Sequence, residues 1–98
     1  MKNFNFLKNI RKEIDEIDLQ ILDLISQRKN LVTEVVKLKR RDQIIDQKRI
    51  NDILKRLDKE ARQRDLPKSF VKEIWNIMIK SFIEYEEEIF DKIHSKKS

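Results

Sequence analysis

Apolar residues recur along the first part of the chain at Leu7, Ile10, Ile14, Ile17, Ile21 and Leu24, and again at Leu31, Val35 and Leu38. Steps of three and four residues alternate, which is the signature of a helix carrying a heptad seam. Nothing in the sequence breaks this helix until about Asp42. About 35 residues at about 1.5 Å each make a rod of roughly 50 Å. A globule of about 100 residues has a radius of gyration of only roughly 13 Å. Two shorter helices cannot cover such a rod within a compact monomer, so the pattern predicts an intertwined homodimer in which two long helices share one core.

A second helix is predicted from about Asp46 to Arg64, with Ile50, Ile53, Leu54, Leu57 and Ala61 on one face. The segment Arg64-Asp65-Leu66-Pro67 ends it, because proline disfavours helix in the residue before it and suits the first turn of a new one. The third helix is predicted from about Lys68, carrying Val71, Ile74, Trp75, Met78, Phe82, Ile89 and Phe90. From about Ser95 the tail is expected to fray. There is no internal repeat and no linker. The expectation is one all-α domain over residues 1–98, three helices of which one is very long.

Composition narrows the chemistry. The chain has no glycine and no cysteine. Hairpins, Rossmann turns and phosphate loops lean on glycine, and the usual zinc sites lean on cysteine. The single histidine, His94, stands in a lysine-rich tail and is expected to be solvated, so neither metal nor cofactor is predicted. Charges are too frequent for a signal peptide or a membrane span, and a cytoplasmic protein with no membrane partner is expected. The net charge of +5 suits an anionic partner. Acids interleave with the basic residues along most of the chain, which fits a small anion as well as nucleic acid.

The informative charges are those that interrupt the apolar pattern. Arg28 falls where the seam calls for a leucine. A buried guanidinium needs an acidic partner or an anionic ligand, and a register-setting ion pair is the purely structural alternative. Lys39 follows eleven residues later, about three full turns on, so both project from one side about 16 Å apart along the axis. Arg11 lies about 25 Å before Arg28 and roughly 100° round the helix. It can meet Arg28 at one small ligand only from the opposite chain of an antiparallel dimer. Surface charge is the plain structural reading of Arg11 and Lys39 taken singly.

Glu86 has Phe82, Ile83, Ile89 and Phe90 at the four helical neighbour positions. Such surroundings favour the neutral acid, which can donate a hydrogen bond. The structural alternative is an ion pair in the core, with Arg28 as the natural partner. Asp46 and Arg49, three apart, read as a helix-start acid and an intrahelical ion pair. No nucleophile–base pair, His–Asp arrangement or metal cluster is visible. A reaction here would rest on electrostatics and positioning.

The run of Ile10, Arg11, Ile14, Asp15, Ile17, Asp18, Ile21, Leu22, Leu24, Ile25, Arg28, Leu31, Val35 and Lys39 resembles the first helix of the all-α chorismate mutases. Asp46 and Arg49 resemble that family's acid–arginine pair, and Glu86 stands where its third helix usually carries a glutamine. The resemblance covers nearly the whole chain. It implies a cofactor-free homodimer with two sites that convert chorismate, a dianion, to prephenate by a [3,3] rearrangement. It also implies roles: Arg28 and the partner subunit's Arg11 on the substrate carboxylates, Lys39 and a protonated Glu86 on the ether oxygen, and Asp46 and Arg49 near the hydroxyl end.

Four departures mark the chain. Ile50 replaces a common glutamate that accepts from the ring hydroxyl, Phe82 replaces a serine, Glu86 replaces the glutamine, and the Lys39–Asp46 connection is about two residues shorter than in many relatives. Isochorismate pyruvate-lyase and 4-amino-4-deoxychorismate mutase activities on the same fold remain alternatives. From another class, Lys39-Arg40-Arg41 and the basic tail would suit a non-catalytic helical dimer or a nucleic-acid binder. That reading lacks a helix-turn-helix signature and an aromatic stacking platform, so no nucleic-acid partner is predicted.

Overall fold

The structure, a computed structural model, describes the backbone of residues 2–95 and the side chains of residues 4–95. Residues 96–98, part of the tail expected to fray, lie outside the described residues. The described residues form three α-helices, α1 (Lys2–Leu38), α2 (Gln47–Gln63) and α3 (Phe70–His94), with a short 3-10 turn at Arg41–Gln43 and no strand. The protein is all-α, as the periodicity predicts. No helix among the described residues is long and apolar enough to cross a membrane.

Contacts divide the chain into two units, one ending at Leu31 and one beginning at Val32. The first unit is a single helical stretch with no neighbouring element of its own. Its seam residues Ile10, Ile14, Ile17 and Leu24 are 52%, 50%, 52% and 62% exposed. An isolated helix gains little from propensity alone and needs its apolar face packed, so this stripe lacks a cover within the unit.

The second unit holds the buried core: Val36, Ile44, Ile53, Ala61, Val71 and Ile79. The helix α1 stops at Leu38, short of the predicted Asp42. Arg40 turns extended, and its N–H goes to Gln43 Oε1 at 2.8 Å while Gln43 N–H returns to the Arg40 carbonyl at 3.0 Å. This reciprocal pair takes the amide that would have continued the helix.

The end of α2 is closed by Leu66 N–H donating to Ala61 O at 3.1 Å and Asp65 N–H donating to Arg62 O at 3.2 Å. That pattern needs a left-handed residue, usually glycine, and here Asp65 takes it at φ 54°. Asp65→Gly is therefore expected to raise stability by about 1 kcal/mol, read as a higher thermal midpoint. A lower midpoint would mean that the aspartate side chain contributes something glycine cannot. The start of α3 is later than the predicted Lys68. Ser69 is left-handed at φ 72°, so Pro67–Phe70 forms a turn and regular helix begins only at Phe70.

Candidate functional site

The end of α1 and the middle of α3 bring two charges together. Lys39, just past the last residue of α1, donates from Nζ to Glu86 Oε1 at 3.0 Å. Glu86 is 6% exposed and is the one buried charged residue among the described residues. The residue pattern offers Arg28 as a core partner for Glu86, and the partner found in the second unit is Lys39. Burying a carboxylate is costly unless a cation and hydrogen bonds compensate it. The Lys39 side chain keeps 23% of its surface exposed, so the cation that neutralises Glu86 comes from a residue only partly withdrawn from solvent.

The next elements close round the exposed side of Lys39. Asp46 caps α2, its Oδ1 accepting from the Arg49 backbone N–H at 3.0 Å. The predicted Asp46–Arg49 ion pair does not form: the contact runs through the backbone, and the Arg49 guanidinium is left for other partners. A cleft of ≈ 420 Å³ is lined by Leu38, Lys39, Asp42, Gln43, Ile45 and Asp46 among others, so two predicted site residues share one opening. Arg49 is exposed beside it in sequence, and Ile50 is half-buried.

On α3, Phe82 is half-buried and meets Tyr85 edge-on, with ring centroids 6.5 Å apart. Tyr85 Oη and Thr33 Oγ1 share a hydrogen bond of 2.7 Å, which ties α3 to the last turns of α1. In the first unit Arg11 is exposed and Arg28 half-buried. A larger cavity of ≈ 780 Å³ between α2 and α3 contains none of the predicted site residues. Among the described residues no three His, Cys, Asp or Glu side chains gather as a metal site.

Across residues 10–87 the chain matches the family described as chorismate mutase type II. The chain belongs to that family. No match was found among curated proteins or among solved structures. The matched span includes every predicted site residue from Arg11 to Glu86 and runs through both units, and chorismate mutase-type function follows in general terms.

In this member of the family the sequence pattern missed one polar residue. His94, expected to be solvated, is half-buried, and its Nε2 lies 2.9 Å from the Val36 carbonyl. A signal was present: positions 82, 86, 90 and 94 continue one stripe in steps of four, and a residue in such a stripe faces its neighbours.

Proposed function

We propose that the protein catalyses the rearrangement of chorismate to prephenate. In this [3,3] shift the ether C–O bond breaks as a new C–C bond forms, with no atom gained or lost and no co-reactant required. The C–O bond lengthens ahead of C–C formation, so negative charge builds on the ether oxygen. The observation that carries the reading is the Lys39–Glu86 pair, 3.0 Å apart and buried at its acid end. It offers a fixed ammonium and, once protonated, a second donor to that oxygen. Such donors accelerate a reaction because the charge they face grows in the transition state.

The remaining roles follow the family pattern. Arg28 and the partner subunit's Arg11 hold the two carboxylates, which selects the folded conformer that can react. Asp46 and Arg49 shape the hydroxyl end, with Ile50 and Phe82 as apolar walls. The exposed seam of the first unit supports a homodimer, since a second copy offers the same apolar stripe and brings its own Arg11.

Glu86 gives the reading a sign. A carboxylate facing the ether oxygen would repel the growing charge, so the protonated form is the competent one. Activity is expected to fall as pH rises, and Glu86→Gln, whose amide donates at every pH, is expected to flatten that fall while keeping turnover. The assay supplies chorismate, and isochorismate in parallel, between about pH 5 and 8 and identifies products. Pyruvate from isochorismate with little prephenate would overturn the mutase reading in favour of the lyase. An unchanged pH fall in Glu86→Gln would remove the donor role.

A further inference from the structure

The last carbonyls of a helix need donors from outside it. In α1 the Val36 carbonyl would ordinarily accept from the Arg40 N–H, but that amide is committed to Gln43 Oε1 at 2.8 Å. Val36 is fully buried, so water is a poor substitute. Two groups replace the missing donor. Lys39 N–H reaches the Val36 carbonyl at 3.3 Å, and His94 Nε2 reaches it at 2.9 Å. A carbonyl only accepts, so Nε2 carries the proton. A second proton on Nδ1 leaves that bond in place.

His94 is itself held. Its ring stacks on Phe90 with centroids 4.1 Å apart and planes 24° from parallel. The Arg41 guanidinium lies 4.7 Å from the centre of the same Phe90 ring and pairs with Asp91. One helix thus fixes Lys39 at both ends. Glu86 takes the ammonium, and His94 takes the carbonyl that anchors the Lys39 backbone.

We propose that His94 is a positioning residue for Lys39. By occupying the Val36 carbonyl it stops α1 at Leu38. Without it, that buried carbonyl keeps only the 3.3 Å bond from Lys39 N–H, and it regains a good donor if Arg40 N–H leaves Gln43 and extends the helix. Lys39 would then become an interior helical residue, and its ammonium would no longer be held where it now meets Glu86 at 3.0 Å. The effect on turnover rests on the mutase reading above, and the effect on the helix end does not.

Two substitutions in the full chain separate donor from ring. His94→Phe keeps a ring to stack on Phe90 and removes the donor, whereas His94→Gln keeps an N–H at a similar reach. Amide hydrogen exchange at Lys39 and Arg40 reports the helix end, and kcat and KM on chorismate report the ammonium. In His94→Phe the protection of these amides is expected to change and kcat to fall about tenfold or more with KM little moved, as for a displaced catalytic group. His94→Gln is expected to restore both. If His94→Phe does not fold, His94→Met meets the same criteria. Unchanged exchange and kcat in the donor-less variant, or an equal loss in His94→Gln, would overturn the proposal. If the wild type turns over no chorismate, the mutase reading fails, and the exchange comparison alone decides the role of His94.

Discussion

Lys39→Met is expected to lower kcat by about 10²–10³-fold, the usual effect of deleting one donor aimed at a developing oxyanion. In the proposed reaction the ammonium meets the ether oxygen most strongly when the C–O bond is breaking, so the loss is expected to fall on kcat more than on KM. The substitution also strips Glu86, 6% exposed, of its recorded cation. Half of a buried ion pair left alone destabilises strongly, and lost stability could imitate lost catalysis. The double variant Lys39→Met/Glu86→Gln removes the stranded charge and separates the two. Its thermal midpoint is expected to recover while its kcat stays low. A Lys39→Met enzyme within about tenfold of wild type would show that the ammonium is a structural counter-ion, since a true oxyanion donor costs more than that.

Ile17→Glu is expected to have the largest effect on assembly. Ile17 sits mid-way along the stripe of the first unit and is 52% exposed within its own chain. In the proposed homodimer two copies of that stripe cover one another, so a single substitution acts in both chains. Loss of a buried isoleucine costs about 2–5 kcal/mol per chain, and an unpaired carboxylate adds to it. Sedimentation is expected to show a dimer for the wild type and a monomer for the variant. Helicity is expected to depend on concentration, because a chain deprived of its partner leaves the long helix uncovered. Turnover per chain is expected to fall with assembly, since in the proposed homodimer each site takes the partner subunit's Arg11. If the Ile17→Glu variant were still a dimer of unchanged thermal midpoint, the interface would lie elsewhere.

The two variants probe parts of the protein that differ in how far their residues reveal them. The stripe at Ile10, Ile14 and Ile17 is visible in any helical projection, because local spacing alone sets which side chains share a face. Arg28 and Glu86 stand out by the same logic, as charges at positions the period assigns to apolar residues. Asp46 at the start of α2 is equally local, and its capping bond to Arg49 N–H spans three residues. The predicted ion pair with the Arg49 side chain is not formed, and the contact between the two residues is the cap to the backbone.

The helix ends are less legible. The α1 pattern continues through Leu38 without a breaker, and the stop comes from Gln43 and His94 competing for the groups that would extend it. Residues 36 and 94 are distant in sequence, and no propensity registers a bond between them. The delayed start of α3 has a similar origin in the left-handed Ser69.

By itself the sequence determined that this protein is all-α, where its apolar faces lie, and which charges are out of place on them. These follow from a 3.6-residue period and from the cost of burying charge, both properties of neighbours along the chain. Only the tertiary structure decided that Glu86 is neutralised by Lys39 and that His94 completes the end of α1. Those pairings join residues 47 and 58 positions apart. Several cations and carbonyls could satisfy the same needs, and packing of α3 against the last turn of α1 selects among them.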